Sequence, residues 1–259
     1  MQTEQTDLTV ERTAHVATVT MRRPPHNYFD QSLIFRIAKS LEALDQNPDC
    51  RAIVLASQGK SFCAGSDFSK RKDLSRAPET SGEHIYKSAG RLFRMRKPVI
   101  AAVHGPAIGG GLGLALAADF RVTCPEARFS ANFNRLGLHP GFGLSIMLPK
   151  VVGDQRAALL FYTGRRINGE EAARIGLADI LVPQVKVLET AQTLAEEIAQ
   201  SGPLAVQSTR ETLRRGLADA VSMAIERECT EQEWQRGTAD FREGVKAMSE
   251  RRPPQFTGA

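Results

Sequence analysis

The sequence predicts an α/β core followed by a largely helical region. Three observations lead there. Short apolar or β-branched runs at 16–21, 52–56 and 99–103 have strand length and are separated by stretches with helical periodicity. Two of these strands run into loops of small residues, at 61–67 and 104–111. From Asp154 onward the strand signal fades and helical patterns dominate. With 259 residues, 42% hydrophobic and 24% charged, the chain can bury a sizeable core.

Taken in order, Val16 to Met21 is ended by Arg22-Arg23-Pro24-Pro25. Asp30 is placed to cap a helix whose Leu33, Ile34, Ile37, Leu41 and Leu44 fall on one face. Ala52 to Ala56 is the next strand. Residues 71–84 are charged and polar and read as a mobile surface segment. A helix is expected from there to Arg96, before Pro98 opens the strand Val99 to Val103. After a glycine loop, a helix should run to Asp119, followed by strands through Phe120 to Thr123 and Ala127 to Ser130. The later helices are expected over Asp154 to Tyr162, Gly169 to Ile175, Val187 to Ala199, Leu204 to Leu217 and Ala220 to Trp234, with Gly176 as a left-handed cap.

Composition excludes several classes. Lysine plus arginine exceeds aspartate plus glutamate by 34 to 29, an excess of +5 that suits an anionic ligand but is too small to argue for nucleic acid. The basic stretch Arg91, Arg94, Arg96 and Lys97 reads as a solvated face. Cys50, Cys63, Cys124 and Cys229 have no metal-binding spacing, which implies no metal and a reducing, cytoplasmic setting. No secretory signal opens the chain. Residues 98–118 carry no formal charge, but Gly105, Pro106, Gly109, Gly110, Gly111 and Gly113 interrupt them, so a strand, loop and helix are expected and no membrane span.

Familiar catalytic motifs also fail. Gly59-Lys60-Ser61 lacks the leading glycine of a phosphate loop, because position 54 is valine. The loop at 105–113 lacks the third glycine and following acid of a dinucleotide fingerprint, and Ser66 is not a nucleophile elbow. What the two loops offer is close backbone approach to a ligand. The helix after the second adds partial positive charge. Two N–H groups aimed at one point would suit a thioester carbonyl that becomes an enolate.

At this point KSFCAGSDF and KPVIAAVHGPAIGGGLGLALAADF resemble the two oxyanion segments of the crotonase (enoyl-CoA hydratase/isomerase) superfamily. ARFSANFNRLGLHPGFGLSIMLPKVVG, TGRRINGEEAARIGLADILV, SGPLAVQSTRETL and DFREGVKAMSERRPPQF follow in the family's order, so the resemblance covers essentially the whole chain. It implies a spiral core of ββα repeats over residues 1–185 and, over residues 186–259, a helical region serving oligomerisation and completing the CoA site. It also implies a homotrimer or a hexamer built as a dimer of trimers, with an acyl-CoA thioester as substrate and no separate cofactor. By position, Ser66 and Gly110 supply the two oxyanion N–H groups. Cys63, Ala64, Ser66, Asp67, Phe68, Gly110 and Gly141 would contact substrate or CoA, and Arg252 and Phe256 would approach CoA from the C-terminal end.

The sequence departs from the family's pattern at the acids. The two glutamates with which the family's hydratases position and split water correspond to Gly113 and Phe133, neither of which can move a proton. Ordinary hydration is therefore not expected. Isomerisation, C–C cleavage, thioester hydrolysis and a weak hydration using a non-glutamate base stay open, as does a non-catalytic acyl-CoA binding or assembly subunit. The remaining acid–base candidates are Asp67, His139, His84, Tyr86 and Lys87, with Asn132, Asn134 and Arg135 around Phe133 as hydrogen-bonding candidates. The aspartate nucleophile of aryl-CoA dehalogenases would stand at Gly141 and is missing.

Overall fold

In the computed structural model, residues 7–67 and 85–259 are described; the segment at 71–84, Phe68 and His84 therefore lie outside the described residues. The strands are β1 (Leu8–Thr13), β2 (Val16–Met21), β3 (Ala52–Ser57), β4 (Val99–Val103), β5 (Ala107–Ile108), β6 (Phe120–Thr123), β7 (Arg128–Ser130), β8 (Ile167–Asn168) and β9 (Ile180–Leu181). The helices are α1 (Gln31–Gln46), α2 (Ile85–Gly90), α3 (Gly110–Ala117), α4 (Leu144–Val152), α5 (Asp154–Thr163), α6 (Gly169–Arg174), α7 (Val187–Gln200), α8 (Pro203–Leu213), α9 (Leu217–Gln235) and α10 (Ala239–Ser249).

A six-stranded sheet has the order β1-β2-β3-β4-β6-β9, parallel throughout except for the β1–β2 hairpin. A second, three-stranded sheet has the order β5-β7-β8. Every residue of β4 is buried, as is all of β3 but Ser57, which is why these strands read as continuous apolar runs. The strand β1 was not expected from the sequence. It is an edge strand with four of its six residues exposed, so no apolar alternation marks it.

The helix signals worked where capping chemistry was local. The Asp30 carboxylate accepts the Leu33 N–H at 2.8 Å, and the expected apolar face of α1 is buried throughout. Gly176 sits at φ +80°, in the left-handed region. The two helices expected over 204–217 and 220–234 form as α8 and α9, with the break between them moved back to residues 214–216, where Gly216 at φ +74° turns the chain. The glycine-interrupted stretch 98–118 forms β4, β5 and α3, and no helix among the described residues is long and apolar enough to cross a membrane.

The C-terminal region read as helical sends its first long helix onto the sheet. Val187, Ala191, Ala195 and Ala199 of α7 are buried, and the helix packs on β2, β3, β4 and β6. Small residues at four-residue spacing let it lie close to the strands. The basic stretch before β4 is occupied by local partners. Arg91 pairs with Glu42, Arg94 with Asp219 and Arg96 with Asp45, while the Lys97 ammonium donates to the Leu44 and Asn47 carbonyls. These contacts tie α1 and α9 to the entry of the sheet.

Candidate active site

Four segments far apart in sequence are joined edge to edge. The Phe29 N–H donates to the Gly65 carbonyl at 3.0 Å, Cys63 and Ile108 exchange bonds with Pro106 and Cys63 carbonyls at 3.0 Å, and the Gly109 N–H donates to Ser130 O at 2.8 Å. Bridges Phe29–Ser66 and Cys63–Ala107 express the same pairing. The two small-residue loops therefore run side by side, joined by backbone hydrogen bonds.

Glycine is required at two of these places for different reasons. Gly109, at φ +55°, turns the chain into α3. At Gly111 a methyl group would fall on the Cys63 carbonyl and lie 2.7 Å from its carbon, so only hydrogen permits this approach. At Gly65 a Cβ would lie 2.9 Å from Ile108 O and 3.8 Å from Gly110 N. The Ser66 and Gly110 N–H groups donate to no other described residue. Both residues line one cavity of about 740 Å³.

The cavity also takes in Ala64 and Asp67 from the first loop, Phe29, Tyr86, Asn132 and Phe133, and Gln232, Arg236, Arg242 and Lys246 from the C-terminal helices. Its charge is lopsided. Arg166, Arg242 and Lys246 are exposed, Arg236 is buried, and Asp67 is the one carboxylate among the described lining residues. Such a chamber favours an anionic ligand.

Among the described residues, no carboxylate other than Asp67 lines the cavity, and positions 113 and 133 are filled by other means. Phe133 is buried and lines the cavity. Gly113 is backed by Phe142, whose Cβ would lie 2.7 Å from a side chain begun at 113. Phe142 is fully buried at φ +67°, with its ring centroid 5.6 Å from that of Phe29 and 6.2 Å from that of Tyr86. The turn that carries it is held by Glu228, which accepts Gly143 N–H at 2.8 Å, Ser145 N–H at 3.0 Å and the Ser145 hydroxyl at 2.6 Å. Burial pushes the Glu228 carboxyl above its ordinary range, against these three donors.

The other expected residues are scattered. Cys63 is fully buried beneath the loop, and burial pushes its thiol up to about 12. Gly141 is covered by Tyr86, whose ring would be 2.5 Å from a side chain there, and does not line the cavity. Arg252 is engaged by Glu243 at 2.5 Å and Glu250 at 2.6 Å, and neither it nor Phe256 lines the cavity within this chain. His139 lies outside as well, its backbone N–H donating to Gln235 and its ring 2.7 Å from Pro140 O. Lys87 is exposed, and Arg135 donates to Thr163 O at 2.9 Å, fixing its own loop. Tyr86 does face the cavity; its hydroxyl donates to Gln232 Oε1 at 3.2 Å, and burial pushes the phenol up to about 12, so it remains protonated at neutral pH.

Sequence reasoning missed Phe29, Phe142, Gln232 and Arg236. The turn His139-Pro140-Gly141-Phe142-Gly143 was visible as a turn, but nothing local tells that its aromatic residue backs Gly113. Gln232 in the last turn of α9 and Arg236 just after it carry no motif.

The model of the enoyl-CoA hydratase/isomerase family matches residues 11–259. A Thermus thermophilus protein named "Putative enoyl-CoA hydratase" is 35% identical over 254 residues, covering 93% of this chain and 97% of that protein. The 1,2-epoxyphenylacetyl-CoA isomerase of Escherichia coli is 32% identical over 249 residues, covering 94% and 95%. The crystal structure of an enoyl-CoA hydratase/isomerase from Pseudoalteromonas atlantica superposes with a TM-score of 0.88 at 28% identity, covering 97% of this chain and all of that one.

Proposed function

The chain belongs to the enoyl-CoA hydratase/isomerase family and has its crotonase fold; from this premise we propose that the cavity binds an acyl-CoA thioester and stabilises the enolate made from it. The thioester oxygen sits between the Ser66 and Gly110 N–H groups. Carrying this reading is one observation: two backbone donors without acceptors among the described residues belong to loops held within van der Waals reach, and both residues line the same cavity. Charge that develops on the oxygen then meets fixed dipoles at the start of α3, which need no reorganisation during reaction.

The exposed cations Arg166, Arg242 and Lys246 supply electrostatic attraction for the CoA phosphates. Asp67 is the carboxylate best placed to move a proton, since it adjoins Ser66 and lines the cavity. The reaction that fits this wall is one needing an enolate and a single proton shuttle, such as isomerisation, in place of addition of a water held by two acids. Three or six copies of the chain form the assembly in this reading.

A second reading, a non-catalytic acyl-CoA binding subunit, draws support from the aromatic filling at Phe133 and Phe142. Turnover of any CoA thioester excludes it. Calorimetry tests what both readings share: CoA and acyl-CoA should bind, and binding should weaken as salt rises from 50 to 500 mM because exposed charge contacts are screened. Failure of every acyl-CoA to bind at millimolar concentration would defeat both.

A further inference from the structure

We infer that the acyl group this cavity accepts carries a second carboxylate, received by the guanidinium of Arg236. The inference rests on the acyl-CoA reading and adds the chemical class of the acyl chain.

Arg236 is only 8% exposed and lines the cavity beside Tyr86, Gln232 and Phe133. Its Nη2 donates to Gln232 Oε1 at 2.7 Å, and its Nη1 is buried with no hydrogen-bond partner among the described residues. No aspartate or glutamate among the described residues pairs with it. The contrast within the same molecule is informative. The other buried arginines among the described residues, Arg121 and Arg210, each meet an aspartate, Asp179 and Asp119, at 2.8 and 2.9 Å. A guanidinium stays charged in a protein, and withdrawing it from water without an anion is costly. The Phe241 ring, 6.0 Å away, and the C-terminus of α9, which Arg236 follows, offset part of that cost. Neither provides an acceptor for the free N–H.

The neighbouring groups are already committed. Gln232 accepts from Tyr86 and Arg236 through one oxygen and donates to His139 O at 2.8 Å, so it orients the arginine without neutralising it. Glu228, the nearest buried acid on α9, has both oxygens taken by Gly143 and Ser145. With no acid among the described residues free to meet Arg236, the anion we assign to it is the ligand's. CoA phosphates have the exposed Arg166, Arg242 and Lys246, whereas Arg236 is interior. It is linked through Gln232, Tyr86 and Phe142 to Gly110, which assigns it to the acyl side of the thioester in this reading. Ile85, Phe133, Leu136, Leu138 and Val245 line the same chamber and suit methylene groups between thioester and carboxylate.

The test compares matched thioesters by calorimetry on the wild-type protein: succinyl-CoA with butyryl-CoA, glutaryl-CoA with pentanoyl-CoA, and adipoyl-CoA with hexanoyl-CoA. At least one dicarboxylic member should bind about tenfold or more tightly than its uncharged partner, the scale of a charge-assisted pair in a partly desolvated site. Arg236→Met should abolish that preference while leaving pentanoyl-CoA and free CoA within about threefold, and Arg236→Lys should retain part of it. A thermal melt of each variant establishes that it is folded, and the wild-type comparison needs no variant. No preference in any pair overturns the inference while leaving the acyl-CoA reading intact. A preference that survives Arg236→Met also overturns it, because the carboxylate would then be held elsewhere. If no thioester binds, both fall together.

Discussion

Crotonyl-CoA should be hydrated by this protein roughly 10²–10⁴ times more slowly than by a relative with both glutamates, the usual contribution of a positioned acid or base. A residual rate remains because each oxyanion donor is worth about 10²–10³ on its own. The losses of two acids serving one water are not multiplied, since they act as a unit. Restoring the acids is also less simple than the sequence implies. Gly113→Glu places its Cβ 2.7 Å from that of Phe142, an atom fixed to the backbone, so the new side chain cannot be accommodated by a rotamer change. The pair Gly113→Glu with Phe133→Glu should therefore gain nothing. Adding Phe142→Gly opens the space and relieves a non-glycine residue at φ +67°. That triple variant should raise hydration by about 10² or more over the pair. The readout is loss of the conjugated-thioester absorbance. Wild-type turnover matching an efficient hydratase would mean that another residue, Asp67 first, does the work of both acids.

Gly111→Ala should be among the most damaging single-methyl changes in the molecule. Helix propensity favours alanine by about 1 kcal/mol, but the added carbon would overlap the Cys63 carbonyl and lie 3.0 Å from Cys63 Cβ. Backbone cannot rotate away as a side-chain tip can. The expected cost is about 3 kcal/mol or more, which lowers the melting temperature by roughly 6–12 °C in a chain of this size. Acyl-CoA affinity should fall as well, because the shift parts the loops that carry Ser66 and Gly110. Gly202→Ala is the control: its nearest outside atom is Ala205 Cβ at 3.9 Å, and it should cost about 1 kcal/mol or less. Equal melting temperatures for the two variants would show that the loops are not wedged together as described.

These two cases also separate what was legible in the sequence from what was not. The loops could be read because their function lies in the backbone, and a backbone approached this closely demands small residues whatever surrounds it. Gly65, Gly109 and Gly111 announce that demand locally. The α1 cap and apolar face, and the buried strands β3 and β4, follow from the same kind of short-range pattern. What could not be read depends on contacts across the fold. Tyr86 and Gln232 are 146 positions apart, and only the packing of α2 against α9 brings them together. Phe142 backs Gly113 through a turn whose shape is held by Glu228 from another helix. The helix α4 contains Pro149, which breaks the helical pattern, and β1 is an edge strand with no apolar alternation to betray it.

The central claim is that Ser66 N–H and Gly110 N–H polarise a thioester carbonyl. Infrared difference spectra of pentanoyl-CoA carrying ¹³C at the thioester carbon, free and bound to the wild-type protein, test it without knowledge of the reaction. Two hydrogen bonds from backbone donors in a site screened from water should move the bound carbonyl band to lower frequency than in aqueous solution and narrow it, since one fixed environment replaces many. A bound thioester whose band stays at the aqueous position, or moves to higher frequency as in an apolar pocket, would contradict the claim.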